Sequence, residues 1–273
     1  MNDANTMSLP ATQHLQLERD GSVLYVTLNR PEARNAFNTA MLDDVTNTFA
    51  AIRDDRTLRT VVMRGAGGCF SAGADLKEVA AARQSTQAHD DTMRFSRRFG
   101  TLTRQVENAP QAVVMVVEGA ALGGGFGLTC VSDIAIIHAE AKMGMPETRR
   151  GLPPAQIAPF VVNRIGLTQA RRIAVCGDMF DGERAVALGV GHYLAHTATE
   201  LDQHLADVLG RIRRSAPGAL AATKAIMLRA GRAEMDQLLD DAAESFTHCA
   251  LGAEGAEGTR AFIDKRAPAW EQQ

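Results

Sequence analysis

The sequence predicts a mixed α/β core followed by an all-helical tail. Short apolar runs rich in β-branched residues alternate with glycine-bearing loops and stretches of helical periodicity as far as about Thr197, and beyond that point only helical periodicity remains. With 273 residues and 45% hydrophobic content the chain can bury a large single core. The expected organisation is a loose tail over 1–12, a core over 13–197 and a helical region over 198–273.

HLQLERDGSVLYVTLNR is two alternating apolar runs around Asp20-Gly21, a pair suited to the positive φ angles of a tight hairpin. After Pro31, Met41, Leu42, Val45, Phe49 and Ile52 recur at helical spacing behind Asn38, a good N-cap. TVVMRG (60–65) reads as a buried strand, AGGCFSAGAD as a loop, and a helix is expected from about Leu76. The pattern repeats in outline: a strand over 112–117, a glycine loop, a helix over 124–131 and a strand over 133–137. In the tail, Leu201, Leu205, Val208, Leu209 and Ile212 form one apolar stripe; GALAATKAIMLRA, EMDQLLDDAAESFTHCAL and EGTRAFIDKR predict three more helices.

Composition excludes several classes of function. A formal charge of −3, with the arginine pairs scattered at 97–98, 149–150, 171–172 and 213–214, offers no basic field for nucleic acid. Cys69, Cys130, Cys176 and Cys249 lie far apart without C-x-x-C spacing, so no metal site or disulfide framework is expected, and a reducing cytoplasm fits. No apolar run reaches the ~20 residues of a membrane span, and the polar N-terminus has no secretory pattern. His138 and His192 lack a partner pattern and read as structural; Asp133 reads as a hydrogen bonder at a strand start, and Cys69 has no paired base.

Glycine loops between strand and helix suggest a phosphate cradle first. G-x-G-x-x-G would require glycine at Phe70 or at Leu128, and no G-K-[ST] follows any glycine run, so a nucleotide loop is disfavoured. Such turns still leave backbone N–H groups free at the positive end of a helix, where they can hold an oxyanion. SAGAD (71–75) and GGG (123–125) are two such places. If they face each other, they make a two-donor oxyanion hole; taken alone, they are tight turns.

FSAGADLKE, EGAALGGGFGL, CVSD, AKMGMPE and GERAVALGV, in this order, together with VTLNRPEARNAF upstream, resemble the crotonase (enoyl-CoA hydratase/isomerase) superfamily over residues 15–266. The resemblance implies a spiral of β-β-α turns whose C-terminal helices build a homotrimer or a dimer of trimers. It implies an acyl-CoA substrate and no metal or other cofactor. The thioester oxygen would be held by the N–H groups of Ala74 and Gly124, with Glu147 moving the proton. CoA would run along Glu32–Asn35 and Ala74–Lys77, giving roles to Arg34, Asp75, Leu76 and Lys77; Gly123, Gly124 and Gly127 would line the acyl site, and Phe262 and Lys265 would reach a neighbour's CoA.

Many hydratases of the family carry a second glutamate shortly after the glycine turn, where this chain has Gly127. The segment GLPPAQIAPFVV resembles the version in bacterial hydratases of branched, carboxylated enoyl-CoAs, of the 3-methylglutaconyl and isohexenylglutaconyl kind. The expectation is that Gly127 leaves room for a branch at C3, and that Arg149, Arg150 or Gln156 meets a distal carboxylate. A Δ3,Δ2-enoyl-CoA isomerase relying on one glutamate is the alternative, and a non-catalytic acyl-CoA-binding, assembly or RNA-binding protein is a reading of another class.

Overall fold

The computed structural model describes residues 9–272; residues 1–8 of the expected tail lie outside them. The hairpin forms as expected. Strands β1 (Leu15–Asp20) and β2 (Val23–Leu28) pair antiparallel with Gly21 at φ 54°. Helix α1 (Thr39–Ile52) starts where Asn38 accepts a hydrogen bond from the Met41 N–H at 2.9 Å, and it buries the predicted stripe.

Strand β3 (Thr60–Gly65) leads through the loop to α2 (Leu76–Ala82), and a second helix, α3 (Ala88–Glu107), follows before β4 (Ala112–Val117). The short strand β5 (Ala120–Leu122), α4 (Gly124–Val131) and β6 (Ile134–His138) complete the next turn. Strand β7 (Lys142–Gly144) is followed by a 3-10 turn over Pro146–Arg150, then α5 (Ala158–Cys176) and β8 (Met179–Phe180). Helix α6 (Gly182–Ala187) and β9 (Tyr193–Ala195) end the core.

The large sheet runs β1-β2-β3-β4-β6-β9, parallel from β2 onward, and β5, β7 and β8 form a second, small sheet. Strands β4 and β6 belong to the large sheet while their successors β5 and β7 belong to the small one. Successive turns of strand, strand and helix therefore stack as a spiral. Parallel strands need crossovers, which bury both sheet faces. On one face Val61, Met63, Val113, Met115 and Val117 pack with α1, α3 and α4; on the other Val62, Val114, Val116 and Ile136 meet Leu201, Leu205, Val208 and Ile212.

That second face is closed by α7 (Ala198–Arg213), which starts at the Thr197 N-cap and lies against β4, β6 and β9. The first helix of the tail is thus a layer of the core. Helices α8 (Pro217–Arg229), α9 (Met235–Leu251) and α10 (Ala253–Ile263) extend outward from it. Lys224 anchors α8: its Nζ donates to Asp133 Oδ2 at 2.6 Å and to the Gln111 carbonyl at 3.1 Å. Among the described residues no helix is long and apolar enough to cross a membrane.

Candidate active site

The SAGAD loop is held by the segment before α1. The Ala72 N–H donates to the Arg34 carbonyl, Phe37 N–H to the Gly73 carbonyl and Asp75 N–H to the Phe37 carbonyl, all at 2.8–2.9 Å. Asn35 organises this junction. Fully buried at φ 54°, it donates through Nδ2 to the carbonyls of Ala66 and Cys69 and accepts from the Arg30 N–H. Asp75 caps α2 through the Lys77 N–H and pairs with Arg30 at 3.1 Å, so its carboxylate serves the loop. Arg34, Ala74, Leu76 and Lys77 are exposed.

The glycine turn is tied to the same loop. Leu122 N–H donates to the Ser71 carbonyl at 3.0 Å and Gly123 N–H to the Gly144 carbonyl at 2.9 Å. Gly123 sits at φ 53°, ψ −114°, a conformation that disfavours any side chain. A Cβ built on Gly73 would lie 3.5 Å from the Gly124 nitrogen, which brings the two loops face to face. Among the described residues the N–H groups of Ala74 and Gly124 have no acceptor in the loop and turn hydrogen bonds, and Gly124 is the first residue of α4.

Glu147 closes the cluster. A Cβ on Gly123 would stand 2.7 Å from Glu147 Oε1, and Glu147 Oε2 is buried without a hydrogen-bond partner. Burial pushes the carboxyl pKa above its ordinary value; the residue's own N–H and the nearby Arg150 guanidinium pull less strongly the other way. Two acceptor-free N–H groups and one partly desolvated carboxyl group therefore lie close together. Such a set can hold a developing oxyanion and move a proton beside it.

The structure assigns each glycine of the turn a protein neighbour. An added Cβ would reach Glu147 from Gly123, the Phe99 ring at 2.7 Å from Gly124, and Ser71 at 2.9 Å from Gly125. From Gly127 it would reach the Ile157 side chain at 2.3 Å. The expectation that Gly127 leaves space at C3 is corrected here, because Ile157 fills that space. Phe99 carries no local motif and Ile157 belongs to the PAQIAPFVV segment; only packing reveals that they cover the glycines.

Gln156 lies over Gly100 in α3, where a Cβ would overlap its Oε1. Arg149 is exposed and flanks Gly177, while Arg150 lies beside Glu147. Phe262, 86% exposed, and Lys265 stand at the outer end of α10, which packs on α9. His192 and His138 accept backbone N–H groups, from Ala135 and Glu140, and Asp133 Oδ2 accepts from the Val113 N–H and Lys224, as structural residues would. Among the described residues no group of three or more His, Cys, Asp or Glu could hold a metal ion.

Residues 18–273 match the enoyl-CoA hydratase/isomerase family model. The 2,3-dehydroadipyl-CoA hydratase of Escherichia coli is 29% identical over 93% of this chain and 97% of its own. The enoyl-CoA isomerase/hydratase fer4 of Mycosarcoma maydis is 30% identical over 92% and 95%. The solved structure of Pseudomonas aeruginosa AtuE superposes with a TM-score of 0.92 at 50% identity, covering 95% of this chain and all of that one.

Proposed function

The chain belongs to the enoyl-CoA hydratase/isomerase family and is an enzyme, and on that premise we propose that it adds water to a carboxylated 2-enoyl-CoA branched at C3, of the isohexenylglutaconyl or 3-methylglutaconyl type. In this reading the thioester oxygen accepts from the Ala74 and Gly124 N–H groups, which draws electron density away from C3. The Glu147 carboxylate takes a proton from water as the water oxygen bonds to C3, and the enolate charge rests on the thioester oxygen. Glu147 then returns that proton to C2, so H and OH are added and the carboxylate is restored.

The observation that carries this reading is the buried, unpartnered Oε2 of Glu147 beside the two loops. The branched substrate is favoured by the PAQIAPFVV segment and by Ile157. An isoleucine side chain where relatives of the two-glutamate kind hold a carboxylate presents apolar surface to an alkyl branch. A distal carboxylate agrees with the dehydroadipyl-CoA named for the Escherichia coli relative. The exposed Met227, Phe246, Leu251 and Ile263 of α8–α10 favour association through these helices, which we read as a homotrimer or a dimer of trimers.

Incubation with crotonyl-CoA, 3-methylglutaconyl-CoA, isohexenylglutaconyl-CoA and 3-hexenoyl-CoA, followed by mass measurement, tests it. Hydration adds the mass of one water to the carboxylated, 3-branched compounds. Conversion of 3-hexenoyl-CoA without mass change would instead establish the isomerase reading, which the single carboxylate at the site favours.

A further inference from the structure

Helices α1 and α3 and the segment before α5 enclose a cleft of about 760 Å³. Its charged lining comprises Asp43, Asp90, Arg94, Arg97 and Arg98, and Gln156 closes one side. The cations differ in their commitments. Arg98 pairs with Asp43 at 3.3 Å and Arg94 with Asp91 at 3.5 Å, while Asp90 meets His89 at 3.0 Å. Among the described residues, the Arg97 guanidinium has neither an ion-pair nor a hydrogen-bond partner, and the Gln156 carboxamide has no hydrogen-bond partner.

The two groups meet over Gly100. A Cβ there would lie 2.0 Å from Gln156 Oε1 and 3.1 Å from an Arg97 terminal nitrogen, so both side-chain ends converge on the volume of one methyl group. Glycine inside a 20-residue helix costs about 1 kcal/mol relative to alanine, and here it opens that volume. Chain neighbours link this place to the glycine turn. Phe99, next to Gly100, covers Gly124, and Ile157, next to Gln156, covers Gly127.

We propose that Arg97 and Gln156 form the receptor for the terminal carboxylate of the acyl chain. This rests on the reading that the substrate carries a second carboxylate. The guanidinium supplies charge-assisted donors, and the carboxamide turns its NH₂ toward the same oxygen atoms. The receptor requires an alkyl chain leaving the glycine turn to run past Phe99 and Ile157 to this point. Sequence alone hides the pairing, because Arg97 sits in an ordinary arginine pair and Gln156 is 59 residues away.

Binding of two saturated, unreactive ligands, glutaryl-CoA and butyryl-CoA, measured by calorimetry, separates this inference from the hydration reading. The wild type is expected to prefer glutaryl-CoA by about 10-fold. Arg97→Met removes the preference with the butyryl-CoA affinity unchanged, and Arg97→Lys retains part of it through charge alone. Equal binding of the two ligands by the wild type overturns the receptor, as does a preference that survives Arg97→Met or a parallel loss of both affinities. The hydration panel separately decides the reaction, and an unchanged melting temperature verifies the fold of each variant.

Discussion

Ile157 fills the position that a side chain on Gly127 would take: an added Cβ would lie 2.3 Å from Ile157 Cγ2 and 2.7 Å from its Cβ. The two residues are therefore coupled, and a glutamate at 127 has no room while Ile157 stays. Gly127→Glu alone is expected to cost about 1–3 kcal/mol through overpacking and to lower turnover. Gly127→Glu combined with Ile157→Ala restores stability and gains hydration of unbranched crotonyl-CoA. Melting temperatures and kcat/KM for the single and double variants provide the measurement; a single variant as stable as wild type would sink the coupling.

Glu147 links activity and stability with opposite sign. Its carboxyl pKa is raised in the folded chain, so the native state holds the proton more tightly than the unfolded chain does. Its contribution to stability is present at acid pH and is lost as pH rises through the folded pKa. Glu147→Gln removes this liability. The variant should lose turnover by about 10²-fold or more, bind acyl-CoA nearly as before, and melt above wild type at neutral pH, with the gap closing in acid. Denaturation across pH, beside turnover, measures both effects.

Gly123 carries two constraints at once. Its φ of 53° disfavours a side chain, and a methyl group would press on Glu147 Oε1. Gly123→Ala is expected to destabilise by about 1–3 kcal/mol and to reduce kcat far more than it raises KM, because it displaces the Glu147 carboxyl group rather than the Ala74 loop. Urea unfolding and steady-state kinetics separate the two losses.

Lys224 is 9% exposed and is the polar link from α8 to the Asp133 junction of the sheet. Lys224→Met leaves the Gln111 carbonyl and Asp133 short of a donor and should cost about 2 kcal/mol. Hydrogen exchange is expected to rise first in α8 and α9, while the hairpin β1–β2 keeps its protection.

Local chemistry made much of the molecule legible. Asp20-Gly21 set a hairpin, Asn38 and Thr197 began helices, and continuous apolar, β-branched runs marked β3 and β4 as strands. The family motifs then implied that the SAGAD and glycine loops meet Glu147, and the three do lie together. Helices α3 and α5 had no capping side chain to announce them, and α5 carries a break at Gly166.

What the sequence by itself determined was set by interactions within a few residues: turn angles, caps, apolar periods and the order of the motifs. Only the tertiary structure decided that α7 seals the second face of the sheet, that Phe99 and Ile157 fill the glycine positions, and that Arg97 meets Gln156 over Gly100. Most of those contacts join residues far apart in the chain, and nothing in the local chain energetics distinguishes them. They exist because the spiral stacks one turn on the next, and close packing then settles which side chain occupies each gap.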